Sequence, residues 1–434
     1  MSKLSTSTTI FASLQWLFFI FANTLVVPLS VGTAFHLSPA VIAVTLRTSF
    51  IFIGIACALQ GMYGHRFSLM EGHSGLWWGL ILSLCSAAAS SGMSYTRVGG
   101  ALVTGIFFAG VVAVIIGGFN LIPLLQKLFT PMVMSVYLFL LSIELILIFF
   151  KGMLQFTSNG SMDLPVSLFS LALVIMTSVI SIKGKGMISN FAVLIGIIVG
   201  WIFYSFFFGT NQQVSTTGGF TLTLFPWGKP NLEIGIVLTA FITGLLNLTN
   251  NISSVKAAEG LYGYSISKKN FRSSFIITGL LSMVSTVFGL VPNCPYASSL
   301  GLLESTRILE RKPLIIGGLL FAVMGLVGPL VSFFTTLPVT VGNAVLFVAY
   351  MQLFGTAVKS MKSQQFNSKT IFRFAMPLLF GVSIMNLSPA VFSSFPMLIQ
   401  PLISNGLIMG LILSIILEMS VKWEGFEEVG EATR

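Results

Sequence analysis

The feature that most constrains this chain is where its charges are missing. No Asp, Glu, Lys or Arg occurs in residues 4–46, 186–228, 273–303, 313–358 or 374–417. A helix needs about 20 mostly apolar residues to cross a bilayer, so each of the longest gaps holds two crossings. Lys and Arg number 22 and Asp and Glu 12, so 8% of the 434 residues are charged. Soluble domains carry roughly 25%, and this chain cannot cover itself with a water-facing surface. Its hydrophobic share of 55% excludes disorder as well. Transmembrane β-barrels use short alternating segments, whereas these runs are continuously apolar. An all-α polytopic membrane protein is expected.

Charges, prolines and glycines place about fourteen transmembrane spans, at 10–31, 39–62, 66–85, 97–119, 129–150, 164–182, 187–208, 233–255, 272–291, 293–306, 313–331, 337–357, 371–391 and 396–419. With a cytoplasmic N-terminus, 18 of the 22 basic residues, from Lys3 to Arg434, fall on the inner side. Only Arg97, Lys151 and Lys229 fall outside, and Arg47 lies within a span. A miscounted span would scatter these charges over both sides. The net charge of +10 therefore marks membrane topology, not a nucleic-acid partner. Cys57, Cys85 and Cys294 form neither a paired framework nor a CxxC metal spacing. The opening MSKLSTSTTI runs into the first span without a small-residue cleavage site.

Fourteen is two sevens, and an odd-numbered repeat inserts its second copy upside down. The expected organisation is a first inverted repeat over 1–210 (spans 1–7), an extracellular linker over 211–232 and a second inverted repeat over 233–434 (spans 8–14). LFTPMV (128–133) in span five resembles TTLPVTV (335–341) in span twelve. Spans three and ten, each the third of its half, do not read as ordinary helices. Span three begins RFSLMEGHSGLWWG (66–79) and span ten VPNCPYASSLG (291–301). Pro292 and Pro295 disfavour helix in one, and Gly72 and Gly75 weaken it in the other. Short extended segments are expected there, with half-helices starting near Ser74 and Ser298. Their N-termini would point free N–H groups at a central site.

Four segments resemble the nucleobase–ascorbate transporter family, the second nucleobase–cation symporter family. SLQWLFFIFANTLVVPLSVG (13–32) is similar to its first-helix Gln-His segment, with Trp16 in place of His. LMEGHSG (69–75) resembles its third-span Gly-x-Ser element, and LFTPMV its fifth-span start. The tenth-span pattern is the most specific, and Ser298, Ser299, Leu300, Gly301, Thr306 and Arg307 occupy it. The resemblance implies two inverted seven-span repeats with interleaved core and gate domains, and cation-coupled nucleobase uptake. Two departures stand out. The family's eighth-span glutamate falls on Asn250, and its tenth-span acid or amide falls on Ser298.

Glu71 and His73 are the proton-coupling candidates, since an ionisable side chain inside a membrane is costly and functional by default; the alternative is a solvated pair at the inner interface. Asn247, Asn250, Asn251 and Ser254 lie within two turns of span eight. They offer amide donors and acceptors for the mixed edge of a base, or else interhelical hydrogen bonds. Ser74, Ser298 and Ser299 are candidate substrate contacts at the half-helix starts, or simple N-caps. Gln15 matches the first-helix family position and is a further candidate substrate contact, or else packing glue. Arg47 and Glu144 both fall in the outer third of the membrane and are expected to form a structural ion pair.

The expected function is secondary-active import of a nucleobase, a purine of the xanthine, guanine or hypoxanthine type, through alternating access with H+ coupling. The expected setting is the cell membrane, with both termini cytoplasmic. Expected partners are the base, H+, the lipid bilayer and a second copy as a homodimer, with no nucleic acid, metal or cofactor. A transporter of a small anion is the alternative on the same fold. No catalytic triad, zinc motif or phosphate loop supports an enzyme. Glu424, Glu427, Glu428 and Glu431 read as a solvated tail rather than a signalling domain.

Overall fold

The computed structural model describes residues 4–156, 161–209, 222–296, 298–361, 366–392, 394–396 and 399–423. Residues 211–221 of the expected linker, Lys3, Lys362, Arg434 and the four tail glutamates lie outside them.

Among the described residues, six helices are long and apolar enough to cross a membrane: Thr6–Ala34, Pro39–Met62, Tyr95–Gly118, Pro131–Met153, Leu164–Lys183 and Ile234–Tyr262. Lys312–Leu326 and Gly328–Phe334 reach the same length and apolarity only together, and are bent by 91° where Gly328 and Pro329 interrupt the helix. The stretches expected as spans all coincide with a helix or with a strand followed by a helix. Local chemistry sets many of the starts. Ser38, Ser94, Thr130, Asp163 and Ser267 each accept a hydrogen bond from the backbone N–H three residues on. Pro39 and Pro131 occupy first turns, where no N–H is needed.

The packing follows the inverted repeat. Span 2 packs on span 11, span 1 on span 11, span 13 on span 14 and span 5 on span 14. Exchanging each span with the one seven places away turns these pairs into 9–4, 8–4, 6–7 and 12–7, all of which also pack together. Spans 5 and 12 are exchanged with each other and pack on one another. Glycines at equivalent crossings permit the approach. Gly54 and Gly318 meet backbone to backbone between spans 2 and 11, and Gly110 and Gly279 do so between spans 4 and 9. A Cβ on Gly279 would stand 2.6 Å from the Gly110 carbonyl oxygen. Without a hydrophobic force between helices in lipid, such small-residue contacts carry the association.

Spans three and ten break as expected. Span three is a strand, β1 (Glu71–His73), then a helix, Gly75–Ser91; span ten is a strand, β2 (Asn293–Pro295), then a helix, Ser299–Thr306. The second helix is much the shorter, because Arg307 turns into the left-handed region (φ 57°) and ends it.

Candidate functional site

The two strands pair with each other, antiparallel, at the centre of the molecule. Glu71 lies opposite Pro295, Gly72 opposite Cys294 and His73 opposite Asn293. The ladder runs on at both ends, with the Ser74 N–H donating to the Pro292 carbonyl (2.8 Å) and the Tyr296 N–H to the Met70 carbonyl (2.9 Å). Pro292 and Pro295 have no N–H to offer. Their neighbours' backbone is satisfied instead by the opposite strand and by span eight, as buried backbone requires.

Span eight holds this crossing from one side. The Asn247 amide donates to the Asn293 carbonyl (3.2 Å) and the Ser254 hydroxyl to the Pro295 carbonyl (2.8 Å). Asn247 therefore shares its working face with Ser254, seven residues on, and not with Asn251. Seven residues come closer to whole turns than four do. Asn251 turns to span nine and donates to the Thr278 hydroxyl (2.8 Å), which the Gln60 amide of span two also reaches (3.0 Å). Its amide nitrogen is engaged between helices, while its buried Oδ1 has no hydrogen-bond partner.

Asn250 sits differently. Its amide donates to Asn247 Oδ1 (3.3 Å), and its side chain faces the Tyr137 hydroxyl of span five and the Cys294 thiol of β2. Cys294 also faces Ser74. Ser74 is fully buried and occupies the N-cap of the Gly75–Ser91 helix without capping it through its side chain. The N–H groups of that first turn have no intrahelical acceptor, and Ser74 shares Cys294 as a neighbour with Asn250.

Ser298 is exposed at the start of the short helix. The buried Ser299 hydroxyl accepts from the Met70 N–H (3.0 Å) and ties span ten to span three. Gln15 is half-buried on the first helix. Trp16 beside it packs against Gly317.

Tyrosines complete the constellation, and sequence reasoning missed them. The Tyr296 hydroxyl donates to the His73 carbonyl (2.5 Å). Tyr350 of span twelve faces Tyr296 and flanks Gly75, where an added Cβ would stand 3.3 Å from its hydroxyl. Tyr137 and Tyr350 close the site from spans five and twelve. A hydroxyl-bearing aromatic inside an apolar span was the available signal.

Glu71 and His73 are both buried, at 0% and 1% exposure, which excludes the solvated interfacial alternative. They have different surroundings. His73 is locked at both nitrogens: Nδ1 donates to the Val291 carbonyl (2.8 Å), and Nε2 meets the Ser49 hydroxyl at 2.5 Å. With the ring proton assigned to Nδ1 by that carbonyl, Ser49 is the donor to Nε2. Glu71 accepts through Oε2 from the Asn293 side-chain amide, across the crossing. Its Oε1 faces His65 Nε2 at 3.6 Å.

Among the described residues no ion pair joins Arg47 to Glu144. Arg47 donates to the carbonyls of Gly325 and Leu326 (3.2 Å each), where the bend in span eleven frees backbone oxygens. Glu144 instead lies beside Gly79 of the third-span helix, where a Cβ would come within 3.4 Å of its Oε2. Similar depth placed the two residues together in the sequence, but they point to different neighbours. Among the described residues no cluster of His, Cys, Asp and Glu suits a metal ion.

The Permease family model Xan_ur_permease matches residues 7–390. The putative purine permease YwdJ of Bacillus subtilis is 27% identical, over 95% of this chain and 96% of its own length. The uric acid permease PucJ of the same organism is 23% identical, over 94% and 91%. The transmembrane domain of the cyanobacterial bicarbonate transporter BicA superposes with a TM-score of 0.59 at 14% identity, over 95% of this chain and 97% of that one. This last likeness concerns the fold, which is that of inverted-repeat transporters.

Proposed function

This chain belongs to the Xan_ur_permease family of permeases, and from that premise we propose that it imports a purine base into the cell by proton-coupled alternating access. The reading places the protein in the cell membrane with both termini cytoplasmic. The relatives are named as purine and uric acid permeases, which makes a membrane transporter, not an enzyme, the common ground.

One observation carries the substrate assignment: Ser74, Asn250, Cys294, Tyr137 and Tyr350 converge where β1 meets β2. A purine presents donors and acceptors along one edge of a flat ring. The first-turn N–H groups behind Ser74 suit a ring carbonyl. The Asn250 amide supplies both a donor and an acceptor, and the tyrosine rings supply flat apolar walls. Asn247, Ser254 and Ser299 are spent on backbone and position the site. They do not touch the base in this reading.

Coupling falls to Glu71. It is a buried carboxylate whose hydrogen bond spans the two halves. Adding or removing its proton changes that bond, so protonation can bias how the halves sit. It takes the role left vacant at Asn250 and Ser298.

Radiolabelled uptake in a host lacking nucleobase transport tests the proposal. Xanthine, uric acid, guanine, hypoxanthine, adenine, uracil and a panel of small anions are compared with and without a proton uncoupler. Accumulation of one or more purines that the uncoupler abolishes is expected. Accumulation of anions with no base would overturn it.

A further inference from the structure

We propose that His65 is the proton-relay residue through which Glu71 exchanges its proton with the cytoplasm. This rests on the reading of Glu71 as the coupling group and adds the route.

The geometry is specific. Glu71 spends Oε2 on Asn293, while Oε1 makes no hydrogen bond and faces His65 Nε2, which also makes none, at 3.6 Å. Both side chains are fully buried. His65 Nδ1 accepts from the Phe67 N–H (3.1 Å), so the ring proton sits on Nε2, directed at the carboxylate. The ring stacks beside Phe67, at 6.4 Å between centroids and 16° between planes. A buried imidazole thus points its proton at a buried acid.

His65 is also among the residues lining a cavity of about 370 Å³, with Arg66, Tyr262, Asn270, Glu310 and Arg311. Arg66 and Arg311 are among the basic residues that mark the inner side of the membrane. His65 is thus common to the cavity lining and to the pair with Glu71. Other titratable groups stand near the pair: His73 shares the strand with Glu71, Tyr296 flanks Glu71 from beyond β2, and Tyr264 lines the cavity. Cys57 faces the Glu71 backbone from span two, Cys294 flanks Glu71 from β2, and Tyr262, Glu310, Arg66, Arg311 and Lys312 line the cavity. No other charged side chain among them reaches Glu71 by a hydrogen bond or ion pair.

The proton accounting closes. Protonated Glu71 gives its Oε1 proton to Nε2 of a ring protonated on Nδ1, a tautomer in which the bond from the Phe67 N–H is open. The ring passes its Nδ1 proton to cavity water, which leaves the arrangement seen here: a carboxylate facing Nε2–H, with Nδ1 accepting from Phe67. A ring flip, or exchange with water, resets the tautomer. Imidazole is suited to this because it has two ring nitrogens, one able to accept a proton while the other gives one up.

The test uses the purified full-length chain in proteoliposomes with radiolabelled xanthine and uric acid. Accumulation under an imposed proton gradient is compared with counterflow exchange without one. His65→Gln should keep counterflow within about twofold of wild type, lose about tenfold or more in the rate of gradient-driven accumulation and flatten its dependence on inner pH. In His65→Ala, imidazole added on the cavity side should restore accumulation. Wild-type accumulation and pH profile in His65→Gln, with Glu71→Gln inactive, would overturn the relay and leave Glu71 coupling intact. Wild-type accumulation in Glu71→Gln would overturn both. Loss of counterflow in both His65 variants without rescue by imidazole would make the role structural and also overturn the relay.

Discussion

The Glu71 carboxylate accepts a hydrogen bond from the Asn293 side chain, joining the two halves of the chain at their centre. The two residues are diagonal neighbours on one face of the β1–β2 pair, Glu71 lying opposite Pro295 and Asn293 opposite His73. Diagonal neighbours on the same face are within side-chain reach. A hydrogen bond to a charged group contributes about 1.5–3 kcal/mol. Asn293→Ala should therefore lower stability by about that amount. Glu71→Gln combined with it should cost less than the sum of the two single changes, because the bond can be lost only once. Thermal unfolding of the four proteins in detergent measures the coupling; strict additivity would show that the two side chains do not interact.

Asn250 and Asn251 are adjacent in sequence but serve different ends. Asn251 donates to Thr278, and Asn250 faces Tyr137 and Cys294. Asn250→Ala should raise KM for the transported purine about tenfold or more, with the unfolding temperature little changed. Asn251→Ala should leave KM alone and lower stability by roughly 0.6–2 kcal/mol, the scale of interhelical bonds in membranes. Uptake kinetics and detergent melting of both variants check this, and matching profiles would refute the division.

The glycine crossings predict a graded cost. An added Cβ at Gly110 would stand 2.8 Å from the Gly279 carbonyl oxygen, whereas one at Gly118 would meet nothing within 4 Å. Backbone cannot yield as a side-chain end can. Gly110→Ala should cost about 1–3 kcal/mol, as overpacking does, and Gly118→Ala should be neutral or mildly stabilising through better helix propensity. Melting temperatures in detergent separate the two. Equal tolerance would mean that the helices do not approach as closely as described.

Much of this was legible in the residues. Pro292, Pro295, Gly72 and Gly75 announced extended backbone, and the half-helices begin at Gly75 and Ser299, beside the expected Ser74 and Ser298. The pairing of the extended segments was not legible, because each strand is three residues long and its register depends on a partner 222 positions away. Helical spacing grouped the span-eight asparagines only to within a turn. Placing Asn251 against Thr278 and Asn247 against the Asn293 backbone required the neighbouring elements. His65 drew no notice, since it stands beside Arg66 at what reads as a loop. The fold buries it against Glu71.

Depth in the membrane likewise placed Arg47 near Glu144 but could not fix direction around the helix. Arg47 reaches the Gly325 and Leu326 carbonyls instead. Arg47→Glu should be inactive and poorly folded, because a carboxylate would face those oxygens. The double exchange Arg47→Glu with Glu144→Arg should do no better, since the arginine would then lie beside Gly79 with no carboxylate opposite. Arg47→Lys should retain part of the stability, because an ammonium can donate to the same carbonyls but lacks the planar fork that spans both. Expression, detergent melting and purine uptake of the three variants read the outcome. Recovery of wild-type melting by the double exchange would restore the ion pair and refute the carbonyl anchor.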